Sequence, residues 1–233
     1  MFVHLRLHTE FSVVDGTCRI ADVLKAAQAD GQPALAITDL NNLFGGLKFY
    51  KSARSKGVKP VLGAELVMQP QGDEGESRLL VLVQNHQGYL NLSEILARAW
   101  TQPLGKTQTQ AQVAWAWLQE LHAGLIVLSG AHTGLVGQAL LRGDAATASR
   151  HALALAEMFP HRFYLELQRA GRAEDEALVA QTVELAARLQ LPVVATQPIQ
   201  FLRPDDFQAH EARVCIAEGE VLANAKRPRR FTQ

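Results

Sequence analysis

Apolar residues along the chain fall in short, β-branched runs that alternate with longer amphipathic segments. Seven runs have the length and composition of strands, namely VHLRLH (3–8), ALAIT (34–38), KPVLGAELV (59–67), RLLVLV (78–83), LIVLS (125–129), RFYLEL (162–167) and PVVAT (192–196). Helical patterns are predicted at 19–30, 42–56, 87–100, 111–122, 134–158 with a break near Gly143, 173–190 and 204–217. A polar hairpin tip is predicted at 69–77 and an irregular loop at 101–110.

This alternation predicts an α/β fold in which helices cover a parallel sheet. Seven units favour a closed or nearly closed barrel, and an open doubly wound sheet is the structural alternative. The sequence contains neither GxGxxG after a strand nor GxxxxGK[ST], so the usual nucleotide-binding fingerprints are missing.

Composition narrows the class of protein further. The 233 residues are 48% apolar, enough for one domain over 1–233, and Lys plus Arg equals Asp plus Glu at 23 each. This balance excludes a surface built as a whole to wrap nucleic acid or a membrane. Cys18 and Cys215 have no zinc-type spacing, and no apolar run reaches membrane-spanning length, which predicts buried thiols in a reduced, cytoplasmic protein.

The first predicted strand carries His4, Arg6 and His8 on one face, because alternate residues of a strand project to the same side. In a barrel of this class the chemistry lies at the carboxyl ends of the strands. The predicted strands end in polar residues, namely His8 to Glu10, Thr38 with Asp39, Glu65, Gln84 with Asn85, Ser129, Gln168 with Arg169, and Thr196 with Gln197. His8, Asp39 and Glu65, with Asp15 nearby, could hold a divalent ion. The alternative interpretation is a polar cluster that Arg6 neutralises.

Several segments in order resemble the N-terminal polymerase-and-histidinol-phosphatase (PHP) domain of the alpha subunit of bacterial DNA polymerase III. They are HLRLHTEFSVVDG, PALAITDLNNLFGGLKFYKSARSKGVKPVLGAEL, NHQGYLNLSEIL, FYLELQRAGR, LPVVATQPIQFL and DDFQAHEARVCIAEGEVL. The resemblance implies a seven-stranded distorted (β/α)7 TIM-like barrel. It also implies that 219–233 begins the connection to a polymerase palm outside this chain.

The resemblance further implies a degenerate metal site. Metal-bearing PHP domains use a trinuclear site, and three of its ligand positions are kept here as His8, Asp15 and Glu65. Six positions are substituted, and they read Arg6, Leu40, Arg78, Ala131, Pro198 and Gln200. The three remaining ligands could hold at most one weak ion, which argues against phosphoesterase chemistry on several metals.

We therefore hypothesise that Arg6, with Arg78, replaces the cations by compensating Glu65 and Asp15; the alternative is that Arg6 reaches solvent at the barrel mouth. Without a catalytic residue or a cofactor of its own, the domain is predicted to be a structural module. The resemblance implies that it docks the proofreading exonuclease (epsilon) subunit and braces the rest of the alpha subunit beside other replicase subunits. DNA synthesis and its Mg²⁺ belong to the full-length protein.

Two other functions stay open at this point. One is a metal-dependent phosphoesterase or 3′-5′ exonuclease, and the other is a stand-alone barrel that binds a phosphorylated small molecule. The basic run with Lys226, Arg227, Arg229 and Arg230 could contact DNA or form a solvated linker. Trp100, Trp115 and Trp117 are candidate partner anchors, and His210 is expected to pack or hydrogen-bond.

Overall fold

The computed structural model describes residues 2–72, 74–105 and 110–224. Six strands form one sheet, and they are β1 (Ala34–Ile37), β2 (Lys59–Met68), β3 (Ser77–Val83), β4 (Leu125–Leu128), β5 (Phe163–Gln168) and β6 (Val193–Thr196). The helices are α1 (Ile20–Ala29), α2 (Gly46–Ser55), α3 (His86–Thr101), α4 (Trp115–Glu120), α5 (Leu135–Leu141), α6 (Ala145–Met158), α7 (Asp175–Leu189) and α8 (Phe207–Glu218). The predicted break near Gly143 is confirmed, because α5 and α6 are separate helices.

The strands lie side by side in sequence order, from β1 to β6. The prediction of a wholly parallel sheet is wrong for β3, which runs antiparallel to both β2 and β4. Only the short polar segment between Met68 and Ser77 joins β2 to β3, whereas a parallel crossover needs a dozen residues or more. A hairpin is therefore the only connection available there.

The first predicted strand is present as an extended segment with isolated bridges rather than as a regular strand. His4 bridges Leu35 of β1, and Leu7 bridges Ile199 just after β6, both in parallel. The backbone N–H of His8 donates to the carbonyl of Ile199 at 2.8 Å, and that of Thr38 donates to Leu7 at 2.9 Å. The segment thus links the two edges of the six-stranded sheet and curls it into a distorted TIM-like barrel.

The barrel interior is a small apolar cluster to which every strand contributes. Its buried members are Ala36, Leu80, Leu82 and Leu128, and Leu5, Val61, Ile126, Tyr164 and Val194 pack against them. Two larger clusters lie between the sheet and the helices outside it. Cys18 and Cys215 are buried and free, as predicted. In the part of the chain that the structure describes, no helix is long and apolar enough to cross a membrane.

The hydroxyl of Thr38 helps to close the barrel. Its Oγ1 accepts from the buried N–H of Leu7 at 2.8 Å and donates to the carbonyl of the same residue at 3.3 Å. Thr38→Val keeps the shape but leaves that N–H without its acceptor, so we expect a loss of about 1–3 kcal/mol in the free energy of unfolding. Urea melts measure this loss. Thr101→Val is the matched control, because its exposed hydroxyl caps only a carbonyl of its own helix; equal losses in the two variants would contradict the role of Thr38.

Candidate functional site

The candidate site lies where one end of the barrel meets the segment from Arg6 to His8. Glu65 of β2, Glu166 and Gln168 of β5 and Thr196 of β6 converge there, and all four are buried. Gln84 and Asn85 do not join them, so the prediction from the polar strand ends is wrong for β3; the Asn85 side chain instead accepts from the backbone N–H of Gly88 in α3 at 3.0 Å. Because β3 is antiparallel, its carboxyl end points away from the site and its first residues, including Arg78, point toward it.

Arg6 is the centre of the buried charges. Its Nη1 lies 2.8 Å from Glu65 Oε1, and its Nε and Nη2 donate to the two carboxylate oxygens of Glu166 at 3.0 and 3.1 Å. The residue is only 5% exposed, so the alternative in which Arg6 reaches solvent is wrong. Burial by itself lowers the pKa of Arg6, but the carboxylates of Glu166 and Glu65 more than reverse this and raise it. Arg6 is therefore a fixed cation.

Glu166, which sequence analysis missed, is the main partner of Arg6. Its Oε1 also accepts from Gln168 Nε2 at 2.9 Å and from the hydroxyl of Thr196, and its Oε2 accepts from the backbone N–H of Gly130 at 3.1 Å. Gly130 has a φ of +83°, and a Cβ there would lie 2.1 Å from the carbonyl oxygen of Arg78. The available signal was a single carboxylate inside the otherwise uncharged strand FYLELQ.

His8 lies between two carboxylates and forms a second group of buried charges. The Nδ1 atom of His8 is 2.8 Å from Asp15 Oδ1, and its Nε2 atom is 2.7 Å from Glu65 Oε2. Burial lowers the pKa of His8, but Asp15 and Glu65 outweigh burial and raise it to about 10. Burial also disfavours the charged forms of Glu65 and Asp15. Arg6, His8 and Arg78 nevertheless hold the pKa of Glu65 well below its usual value. His8 likewise lowers the pKa of Asp15. His8 is thus a buried imidazolium.

Gln200 and His210 extend this group on the side of Asp15. Gln200 Nε2 donates to Asp15 Oδ2 at 2.9 Å, and Gln200 Oε1 lies 2.9 Å from His210 Nε2. His210 is completely buried in α8. Since Gln200 accepts from His210, its amide nitrogen is oriented toward Asp15. The expected hydrogen-bonding role of His210 therefore has a specific partner.

Asp39 stands apart from these charges, although the sequence grouped it with His8 and Glu65. Its carboxylate accepts from the backbone N–H of Thr9 at 2.6 Å and from the hydroxyls of Thr9 and Ser12. Burial raises the pKa of Asp39, and the Thr9 N–H offsets this only in part. Asp39 fixes the loop after the first segment and is not oriented toward a shared ion.

Three of the substituted positions besides Arg6 line a cavity of about 330 Å³. Arg78, Pro198 and Gln200 line it beside Arg6 and Glu65, and Arg172 and His132 lie on its wall. Arg78 Nη1 is 3.8 Å from Glu65 Oε1. Leu40 contributes its backbone, which bridges that of Glu65, and Ala131 is buried in the turn after β4.

The residues present do not fit the metal cluster that the PHP fold implies. The Arg6 guanidinium occupies the space between Glu65 and Glu166, and both ring nitrogens of His8 already face carboxylate oxygens. Among residues 2–72, 74–105 and 110–224, no three or more His, Cys, Asp or Glu side chains form a group that could hold a metal ion. Arginine has no lone pair to donate to a metal ion. Arg6 and protonated His8 therefore occupy positions where a metal ion would need ligand atoms with free lone pairs.

The other predicted contact residues separate into two groups. Trp115 and Trp117 are both half-buried against the main core, whereas Trp100 is exposed and donates its indole N–H to the carbonyl of Asn41 at 2.8 Å. Lys226, Arg227, Arg229 and Arg230 lie outside the described residues, so the DNA contact proposed for them stays a prediction.

Several curated relatives of this chain share the name DNA polymerase III subunit alpha. The chain is 49% identical over 236 residues to the protein of that name from Neisseria meningitidis serogroup A, and 43% identical to those from Pseudomonas aeruginosa and Escherichia coli K12. Each alignment covers 99% of this chain and 20% of the relative. The chain therefore spans about a fifth of the length of these relatives.

Solved structures share the fold at low sequence identity. An amidohydrolase from Chromobacterium violaceum has a TM-score of 0.57 at 14% identity, and the match covers 91% of this chain and 96% of the other. A two-domain protein from Bacteroides vulgatus, described as containing a predicted PHP-like metal-dependent phosphoesterase, has a TM-score of 0.51 at 12% identity. That match covers 85% of this chain and 51% of the other.

The sequence model of the PHP domain supplies the family assignment. It matches residues 4–170, which include Arg6, His8, Glu65 and Glu166 of the buried charges. The α/β barrel and its structural relatives agree with this match. The chain therefore belongs to the PHP domain family.

Proposed function

We propose that this chain is a non-catalytic structural module of the alpha subunit of a bacterial replicative DNA polymerase, and that it docks the separate proofreading exonuclease (epsilon) subunit. The observation that carries the proposal is the buried cluster in which Arg6 and His8 pair with Glu65, Glu166 and Asp15, and in which Arg78, 3.8 Å from Glu65, supplies a third positive charge. Charges paired in this way hold strands of a barrel together without any metal. Because His8 and these carboxylates already pair with protein groups, we do not expect them to hold a metal ion that generates hydroxide for phosphate ester hydrolysis.

The names of the curated relatives support the polymerase context. In this proposal the module braces the remainder of the alpha subunit, and 219–233 begins the connection to the palm. DNA, the other replicase subunits and the Mg²⁺ of the polymerase site are bound by the full-length protein in the cytoplasm. The basic run at Lys226, Arg227, Arg229 and Arg230 contributes phosphate contacts there.

The docking part is tested by isothermal titration of the purified chain with the exonuclease subunit encoded by the same genome. Saturable one-to-one binding is expected. An exonuclease subunit that is folded and active but gives no heat, and does not co-elute in gel filtration, would overturn the docking role.

The non-catalytic part is tested by hydrolysis of bis(p-nitrophenyl) phosphate in the presence of Zn²⁺, Mn²⁺ or Mg²⁺. We expect no release of nitrophenol above the rate given by Glu65→Gln. Metal-dependent turnover that disappears in Glu65→Gln would instead support the phosphoesterase alternative.

A further inference from the structure

The outer surface of α2 and α3 carries a concentration of exposed apolar side chains. Leu43, Phe44, Leu47, Tyr50, Leu62 and Tyr89 line a groove of about 290 Å³, which we call the α2–α3 groove. Phe44 is 66% exposed and Leu47 67% exposed. Single exposed apolar residues are ordinary, but a contiguous concave group of them is typical of an interaction site.

Trp100 extends this surface toward the end of α3. Its indole N–H donates to the carbonyl of Asn41, two residues before Leu43, while the side chain stays 58% exposed. Tyr89 and Trp100 are eleven residues apart, which brings them to the same face of α3. An anchored but exposed tryptophan is a frequent centre of binding energy in protein interfaces.

The stretch of sequence that contains α2 and leads into β2 has a single sign of charge. Lys48, Lys51, Arg54, Lys56 and Lys59 occur between Asp39 and Glu65, and no aspartate or glutamate occurs there. Arg54 lies over the ring of Tyr50 at 5.9 Å, and Lys48 is 3.1 Å from Glu10. An apolar groove beside cations favours a partner that combines apolar anchors with acidic flanks.

We infer that the α2–α3 groove docks an acidic protein segment that inserts large apolar side chains between Leu47 and Tyr89. This inference rests on the proposed function in assigning the segment to the exonuclease subunit. Exposed aromatic residues beside cations also occur in proteins that bind single-stranded nucleic acid. The aliphatic lining of a concave groove, with Leu43, Leu47 and Leu62, fits an inserted side chain better than a flat stacked base.

Titration of the exonuclease subunit into the wild-type chain and into Leu47→Asp tests the inference. Binding to Leu47→Asp is expected to be about tenfold weaker or more, because a carboxylate in the groove opposes both the apolar anchor and the acidic flank. Lys51→Glu is expected to weaken binding at low salt and less so at high salt. Leu153→Asp is the control, since Leu153 is a half-exposed helical leucine on α6, away from the groove.

Wild-type affinity in Leu47→Asp would overturn the inference that the α2–α3 groove is the docking site, and would leave the proposed docking role intact. If the wild-type chain does not bind the subunit at all, the docking role fails. Binding of a synthetic peptide then tests whether the α2–α3 groove accepts an acidic segment with apolar anchors. The peptide carries leucine and phenylalanine one helical turn apart with glutamate flanks, and a second peptide has lysine flanks. Preference for the glutamate peptide, lost in Leu47→Asp, supports the groove; equal binding of both, or tighter binding of a labelled oligothymidylate, overturns it.

Discussion

Arg6→Ala is expected to lower the free energy of unfolding by about 3–5 kcal/mol. The substitution removes the only side chain that touches both Glu65 and Glu166 among the described ion pairs, and it leaves both carboxylates buried. A buried charge without its partner costs much more than the pair contributes when intact. The free energy is measured by urea unfolding followed by circular dichroism.

Two further variants separate charge from volume in the Arg6 experiment. Arg98→Ala removes the exposed pairs with Glu94 and Glu120 and is expected to change stability little. Arg6→Met combined with Glu65→Gln and Glu166→Gln removes the charges on both sides and is expected to recover part of the loss. If Arg6→Ala unfolds at the same urea concentration as the wild-type chain, Arg6 does not compensate the buried acids.

Stability is expected to fall as the pH rises from about 6.5 toward about 10, because of His8. The pKa of His8 in the folded chain lies above its unfolded value of 6.5, so its contribution is complete below 6.5 and is lost as the pH rises through about 10. Glu65 and Asp15 have lowered pKa values in the folded chain. Their contribution is present above the unfolded values and is lost as the pH falls through the folded ones.

The pH dependence is measured as the slope of unfolding free energy between pH 6 and pH 10, at fixed ionic strength. His8→Gln cannot be protonated and is expected to have a clearly shallower slope over this range than the wild-type chain. His122→Gln, a histidine outside the buried charges, is expected to keep the wild-type slope. Identical slopes for wild type and His8→Gln would show that His8 is not a buried imidazolium.

The order of the elements was readable from the sequence because periodicity is a local property. The six regular strands and the break between α5 and α6 follow from runs of a few residues each. The direction of β3 was also within reach, since the segment after Met68 is too short for a crossover. The prediction of a wholly parallel sheet did not take into account how few residues join Met68 to Ser77.

The pairing of the first segment and the contact of Glu166 could not be predicted from local sequence patterns, because both depend on residues far apart in the chain. The segment pairs with β1 at one residue and with Ile199 at another, so no regular strand forms, and this depends on how the barrel closes. The contact between Arg6 and Glu166 joins residues 160 positions apart. The alternation of FYLELQ shows a carboxylate in a buried strand but not which cation faces it.

The substituted ligand positions were identified from the family resemblance, and their physical arrangement came from the structure. Arg6 was predicted to compensate Glu65 and Asp15, but Asp15 is held by His8 and Gln200. Which cation serves which carboxylate depends on distances of a few ångströms across the barrel. Residue types and spacing do not encode those distances.

If protein cations take the place of metal ions in this barrel, the purified chain should hold almost no metal. Elemental mass spectrometry measures this after dialysis against Zn²⁺, Mn²⁺ and Mg²⁺ and then against metal-free buffer. We expect a metal content near zero for each ion, with no change in Glu65→Gln. Tight retention of two or more ions per chain, lost in Glu65→Gln, would contradict it.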